Sequence, residues 1–402
     1  MTVSTSEYVP AETRLFKPLK VGNNLLSNRI FFAPLTRLRN DDDHVPLPLM
    51  EKYYADRGST PGTLLVTEAT AISHAEEGAM NNPGFVSEAQ VEGWRKIYEA
   101  VHANGSFIFQ QLWAMGRASD PEVLAKRGFQ YRSSSAVPMP GSEVAPRAMT
   151  EEEILDTIKD FAETAKRVIA AGGDGVEIHG AHGYLIDQFL TASINQRTDK
   201  WGGSIENRAR FALEVIKAVV EAIGAERTAI RFSPYAGFQG SEKTDYIKLY
   251  TYLIGELKKM DLKLAYISLV EARGDPGAIV RGDAVINEHK TLDFILEQWD
   301  NQSPVLVAGS YLPETAAHVV EEHYKKWDVM IGFGRYYISN PDLVFRVKNG
   351  IPFAKYNRST FYLLKQWEGY NDYPFSSEFV AAHSDQIHPM TESQHEASLG
   401  KK

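Results

Sequence analysis

Eight short apolar, β-prone runs recur along this chain with helical patterns between them, and few folds accommodate that alternation. The runs are Ile30 to Ala33, Thr63 to Val66, Phe107 to Gln110, Gly175 to Ile178, Thr228 to Phe232, Ala265 to Leu269, Val305 to Val307 and Val329 to Phe333. Several are continuously apolar rather than alternating, as strands buried on both faces should be. Between the third and fourth runs, Ile154, Ile158, Phe161, Ala162, Ala165, Val168 and Ile169 recur at spacings of three and four, the pattern of an amphipathic helix. Thr150 followed by Glu153 reads as its capping box. Phe211 to Ala222 predicts another apolar helix with Ser204 near its start, and Asn340-Pro341 reads as an N-cap followed by Pro at the first helical position.

Eight strands alternating with helices predict an α/β fold, the (β/α)8 or TIM barrel. A doubly wound sheet is the rival, and it usually shows G-x-G-x-x-G after its first strand. Here the first run is followed by Pro34-Leu35-Thr36-Arg37, while Gly332-Phe333-Gly334 comes late and lacks the third glycine, so the barrel is preferred. The expected division is one barrel domain over 1–383 and a polar, frayed tail over 384–402. Phe16 to Asn28 precedes the barrel, and Gly22-Asn23 within it reads as a hairpin turn, which makes this segment an N-terminal lid on the barrel bottom. Trp113 to Arg147 after strand three and Ala272 to Lys290 after strand six are longer than ordinary connections. In a barrel, long loops after strands read as lids or binding loops on the active-site face.

The formal net charge of −9 argues against a nucleic-acid footprint, which needs clustered Lys and Arg. The chain has no cysteine, which excludes disulfides, thiolate nucleophiles and cysteine metal sites. No stretch approaches the roughly 18 apolar residues of a membrane span. Met1 to Phe16 lacks the features of a secretory signal, so a cytoplasmic protein is expected.

Residues just past each strand of a barrel point into one site. In order these are Thr36, Glu68, Gln110 to Trp113, His179, Arg231, Glu271, Ala308-Gly309-Ser310 and Gly334-Arg335. Glycines after strands seven and eight form the usual phosphate cradle of this fold, and Arg335 adds a bidentate partner. Either glycine alone would read as a tight turn; together with Arg335 they point to phosphate. Thr36, Gln111 and Arg231 contribute a hydroxyl, an amide and a guanidinium, a set that the acceptors and donor on a flavin pyrimidine edge can use. Arg231 reads equally well as the buried partner of a neighbouring carboxylate.

His179 and His182 stand three apart and Tyr184 follows two residues later. The pair could ligate a metal, but the chain has no His-x-His or His-Glu-x-x-His to complete a closed site. The other use is donation to an oxygen. Two close imidazoles disfavour double protonation, so at least one should be neutral near pH 7 and still donate a hydrogen bond. Tyr184, with an ordinary pKa of about 10, keeps its proton at neutral pH and can deliver it.

The block from Glu177 to Leu190, which holds His179, His182 and Tyr184, continues through Asn195 to Asp199 and Gly202 to Arg208. It resembles the old yellow enzyme family of FMN-dependent ene-reductases, in its yeast- and plant-like branch. So do Ala33-Pro-Leu-Thr-Arg37, Gln111-Leu-Trp113, Arg231-Phe-Ser-Pro-Tyr235 and Gly332-Phe-Gly-Arg335, and the likeness runs from about Leu15 to Pro374.

The resemblance implies a barrel that binds FMN non-covalently, with NADPH as reductant and hydride transfer to the β-carbon of an enone, enal or nitroalkene. It implies that His179 and His182 hold the substrate carbonyl and that Tyr184 protonates the α-carbon. Thr36, with Pro34, Leu35 and Ala69, borders the flavin; Gln111 and Arg231 hold its pyrimidine; Gly309, Ser310, Gly334 and Arg335 hold its phosphate. Trp113, Phe238 and Tyr362 shape the substrate pocket. Phenolic ligands are expected in the same pocket, and a homodimer is weakly preferred over a monomer.

The chain departs from the family pattern at His182, where many members have Asn, at Ala69, where Gly is common, and at Ser310, where Asn is frequent. Ala79 aligns with a pocket-lining Tyr of several members, which widens the expected rim. The rivals kept beside this reading are a metal-dependent barrel hydrolase built on the two histidines and a flavin-bearing binding protein with little turnover.

Overall fold

A computed structural model of the chain describes residues 9–272 and 290–384. All eight predicted runs are strands: β1 Ile30–Phe32, β2 Leu64–Val66, β3 Phe107–Trp113, β4 Gly175–Gly180, β5 Thr228–Phe232, β6 Tyr266–Val270, β7 Val305–Ala308 and β8 Val329–Phe333. Every neighbouring pair is parallel, and β8 returns to β1 with Ile331 opposite Ile30. The sheet is therefore closed, and the fold is the (β/α)8 barrel.

The period of two along each strand divides its side chains between two cores. Phe31, Leu64, Val66, Phe109, Ala229, Tyr266, Leu306 and Met330 fill the barrel interior. Ile30, Phe32, Leu65, Ile108, Ile178, Ile230, Ile267 and Val307 belong to the layer packed against the helices. This double burial is why the strands read as continuous apolar runs.

Two of the predicted helices form with the expected caps. Glu151–Ala170 starts at Thr150, whose side chain accepts from the Glu153 N–H in a capping box. Ile205–Ile223 starts at Ser204, which accepts from the Asn207 N–H. The predicted start at Asn340-Pro341 is corrected: the helix is Leu343–Asn349, with Asp342 at its N-cap. The Asn340 amide instead donates to the carbonyls of Tyr336 and Ala354, and its Oδ1 accepts from the Ala354 N–H, so it pins the returning chain.

The hairpin lies where the sequence places it, with Leu19–Val21 paired antiparallel to Asn24–Leu26. Leu19, Val21 and Leu26 join the barrel-interior core and close its bottom. Gly22 takes φ +54°, and a Cβ there would lie 2.0 Å from the Glu226 carbonyl oxygen, so this turn admits only glycine without a shift.

The long connection after β3 is not structureless. It holds the short helix Pro121–Lys126, capped by Asp120, and a small parallel pair of Arg132–Ser133 with Arg147–Ala148. Polar contacts order it: Arg132 pairs with Glu76, Arg127 with Glu77, and Arg117 donates to the Pro138 carbonyl. Such a segment carries no apolar periodicity, which is why its order is hidden in the sequence. The expected loop Ala272 to Lys290 and tail 384–402 fall almost entirely outside the described residues. Among the described residues, no helix is long and apolar enough to cross a membrane.

Candidate active site

The carboxyl ends of the strands surround a cavity of about 520 Å³, within the usual range for small-molecule sites. Every predicted site residue lines it: Pro34, Leu35, Thr36, Ala69, Gln111, Trp113, His179, His182, Tyr184, Arg231, Phe238, Gly309, Ser310, Gly334, Arg335 and Tyr362. Four strand-end residues do not: Glu68, Gln110, Leu112 and Glu271. Glu68 turns into the protein, where its carboxylate accepts from the Arg37 N–H and burial pushes it up to about 7. Glu271 accepts from the Tyr324 hydroxyl at 2.7 Å.

One wall is a charged and polar cluster. Gln111 stands opposite Glu177 in the β3–β4 register, and its Nε2 donates to Glu177 Oε1 at 2.7 Å. Arg231 stands opposite His179 in the β4–β5 register. Burial lowers the Arg231 guanidinium, while the Glu177 charge raises it. The sequence left Arg231 open between a carboxylate partner and a ligand contact; in the structure it lines the cavity and feels the Glu177 charge. Arg231 Nε and Glu177 Oε2 are buried with no hydrogen-bond partner in the protein. Orphaned buried polar groups cost free energy unless something satisfies them.

At another part of the cavity, Arg335 Nη2 donates to Ser310 Oγ at 2.9 Å, and Nη1 to the Tyr356 hydroxyl at 3.0 Å. Ser310 sits at φ +58°, a left-handed backbone in which Asn or Gly is more at ease. Strand-end glycines and this guanidinium make a polar pocket suited to a phosphate.

The third part is His179, His182 and Tyr184. His179 and Tyr184 have ring centroids 4.8 Å apart, and the two imidazoles 6.0 Å. Trp113 meets the Tyr184 ring edge-on at 4.8 Å. His179 Nδ1 accepts from the Ala181 N–H at 3.3 Å, so in the neutral ring the proton sits on Nε2. Burial first, then the Arg231 charge, push His179 down to about 3. His182 lies well below its ordinary value for the same two reasons, with the His179 charge a third cause. The sequence argument for a neutral imidazole rested on repulsion within the pair; desolvation proves the larger cause. His182 Nε2 is buried without a partner. Burial raises the Tyr184 phenol to about 12, so it is protonated throughout the physiological range.

Among the described residues, no three His, Asp or Glu side chains come together as a metal-ligand set. The Arg231 charge beside the imidazoles further opposes a bound cation.

The sequence did not point to Arg358 or Phe361 as parts of the site, or to the buried Lys243–Asp187 pair beside it. Arg358 and Phe361 line the cavity, and Lys243 Nζ lies 2.8 Å from Asp187 Oδ1 with both side chains fully buried. These contacts join segments far apart in the chain, and no local spacing signals them.

A closed barrel with an arginine–serine pocket, a guanidinium and an amide, and two neutral imidazoles around one cavity suits a flavin-type oxidoreductase. The NADH:flavin oxidoreductase / NADH oxidase family pattern matches residues 14–353. The chain is 51% identical over 371 residues to a chanoclavine-I aldehyde reductase of Penicillium roqueforti, covering 92% of this chain and 98% of that one. It is 46% identical over 370 residues to an NADP-dependent oxidoreductase of Aspergillus flavus, covering 92% and 98%. The crystal structure of Old Yellow Enzyme from Pichia sp. AKU4542 superposes with a TM-score of 0.82 at 41% identity, covering 91% of this chain and 95% of that one. The chain therefore belongs to the NADH:flavin oxidoreductase family of old yellow enzyme type, and it is an oxidoreductase.

The residues present fit the FMN of that family. Arg231 lines the cavity with its Nε buried and partnerless, and Arg335 with Ser310 supplies the anion pocket.

Proposed function

We propose that the chain is an NADPH-dependent ene-reductase acting on α,β-unsaturated carbonyl compounds and nitroalkenes. The observation that carries this reading is the placement of His179, His182 and Tyr184 together on the cavity that Gln111, Arg231 and Arg335 also line. The names of the two relatives, an aldehyde reductase and an NADP-dependent oxidoreductase, support a carbonyl-bearing substrate and an NADP-type reductant.

When bound, FMN supplies the hydride, taken from NADPH, that adds to the β-carbon of the alkene. Gln111, Arg231, Thr36 and the main chain at Pro34 and Leu35 would hold the ring, and Gly309, Ser310, Gly334 and Arg335 would hold the phosphate. His179 Nε2–H and His182 receive the substrate oxygen. A neutral donor suits this role, because it stabilises the charge growing on that oxygen without losing its own proton. Tyr184 Oη gives its proton to the α-carbon. A positioned general acid contributes about 10² to 10⁴ in rate. Trp113, Phe238 and Tyr362 border the substrate, and Ala79 leaves the rim open for a large β-substituent. Phenols are expected to bind as inhibitors, since a phenolate oxygen meets the same histidines.

The test is Tyr184→Phe in stopped-flow. Reoxidation of the reduced enzyme by cyclohexenone should slow by at least about 10², with flavin reduction by NADPH affected far less. Equal losses in both half-reactions would remove Tyr184 as the proton donor.

A further inference from the structure

The loop after β1 alternates. Thr36 and Leu38 line the cavity, while Arg37 and Arg39 turn the other way and are almost wholly buried. A period of two separates side chains between two faces in this manner. Two buried guanidiniums need partners, and these arginines find most of theirs in one place, the segment 360–369.

Arg37 donates from Nε to the Phe361 carbonyl at 3.1 Å and from Nη2 to the Gly369 carbonyl at 2.6 Å. Its Nη1 reaches the Tyr53 hydroxyl at 2.8 Å. Arg39 uses every N–H donor of its guanidinium. Nε donates to the Gln366 carbonyl, Nη1 to those of Arg37 and Phe361, and Nη2 to those of Thr360 and Glu368. Carbonyls all along one short loop thus converge on two side chains from the other end of the chain. The two guanidinium carbons also stand 5.0 and 4.9 Å from the centroid of the Tyr370 ring, which stacks on Tyr53.

The loop closes on itself as well. Gly369 takes φ +64°, and a Cβ there would lie 1.8 Å from Thr360 Oγ1, so the two ends meet only because this residue is glycine. The acceptors of both arginines are neutral carbonyls and one hydroxyl, not carboxylates. A buried cation held in this way keeps its desolvation cost, and its donors are satisfied only while the loop stays in place. Movement of the loop would strand two charged groups, so the arrangement fixes it.

The fixed loop presents aromatic rings to the site. Phe361 and Tyr362 line the cavity, and Tyr362 keeps 63% of its surface exposed, which puts it at the mouth. Ala79 lines the same cavity. Asp42 joins the two segments, because its Oδ1 accepts from Asn81 Nδ2 at 3.1 Å and pairs with Lys365 Nζ at 2.5 Å. The small side chain of Ala79 leaves room for an apolar group, and the aromatic pair gives that group a surface to pack on.

We infer that Arg37 and Arg39 are positioning residues for substrate specificity: they hold the 360–369 loop so that Phe361 and Tyr362 form an apolar wall for a bulky substituent on the β-carbon. The inference rests on the ene-reductase reading. The arginines take no part in hydride or proton transfer, so they separate large substrates from small ones without altering the chemical step.

The test compares Arg39→Met and Gly369→Ala with wild type in the FMN holoenzyme. Two enones are read by stopped-flow reoxidation: cyclohexenone, which has no β-substituent, and 4-phenylbut-3-en-2-one, which has a phenyl group there. The first variant removes a guanidinium; the second forces the ends of the loop apart and leaves both arginines in place. In each, the apparent dissociation constant of the phenyl enone should rise roughly 10-fold, the size of one lost aromatic contact. The constant and the limiting rate for cyclohexenone should stay within about twofold of wild type.

A matching loss for cyclohexenone would overturn the inference and leave the arginines a general stabilising role, as would an unchanged constant for the phenyl enone. If Arg39→Met does not fold, Gly369→Ala decides by the same comparison. Failure of the wild type to be reoxidised by either enone would instead remove the ene-reductase reading, and this inference with it.

Discussion

Replacing His179 by Asn tests the neutral-donor argument through stability rather than turnover. Asparagine keeps an N–H donor and cannot become a cation. In the folded protein His179 resists protonation down to about 3, whereas its ordinary value is 6.5. Above pH 6.5 the imidazole is neutral in both folded and unfolded chains, so it contributes nothing to the pH dependence. Below 6.5 the unfolded chain takes up a proton that the folded chain refuses. Stability therefore falls as the pH drops from 6.5 towards 3. Each pH unit is worth about 1.4 kcal/mol, so the fall to about pH 4.5 costs wild type roughly 3 kcal/mol at this residue.

The variant lacks that loss. Other titrating groups and the FMN phosphate are common to both proteins and cancel in the difference. Urea unfolding of the FMN-saturated proteins, followed by tryptophan emission and by flavin release, should show the variant gaining roughly 3 kcal/mol relative to wild type between about pH 6.5 and 4.5. A constant offset from lost packing is immaterial, because only the change with pH is read. Parallel curves would mean that the folded site accepts an imidazolium, and the neutral-donor reasoning would fall.

Two further outcomes follow from the geometry. Arg335→Ala removes the guanidinium that donates to Ser310 and lines the anion pocket; the FMN dissociation constant, read from flavin fluorescence, should rise by about 10- to 100-fold, and an unchanged constant would place the phosphate elsewhere. Lys243→Met leaves Asp187 buried without its cation; removing one partner of a buried pair costs about 3–5 kcal/mol, so the urea midpoint should fall sharply, and an unaltered midpoint would show that water or a shifted loop already solvates Asp187.

Much of the site was legible because a barrel converts order along the chain into position around a ring. Once eight apolar runs are assigned to eight strands, the residues after the runs gather at one end of the barrel, where most of them face the cavity and a few, such as Glu68 and Glu271, turn away. Thr36, Gln111, His179, Arg231 and Arg335 could be gathered in that way from places scattered along the chain. The hairpin was legible for a local reason, the Gly22-Asn23 turn between two short apolar pairs. Asn340 misled because an Asn-Pro step signals a helix start only when its side chain is free, and here Ala354 returns to occupy it.

The sequence by itself determined the strand set, the caps at Thr150 and Ser204, and the chemical types that meet at the cavity, because these depend on residue identity and short-range periodicity. Tertiary structure alone decided their protonation and alignment. Repulsion between His179 and His182 could be guessed from their spacing, but desolvation, the larger cause, requires the folded protein around them. Whether Glu68 faces the cavity, and that Lys243 reaches Asp187, depend on contacts between segments distant in sequence. Those contacts are set by packing, which no local pattern records.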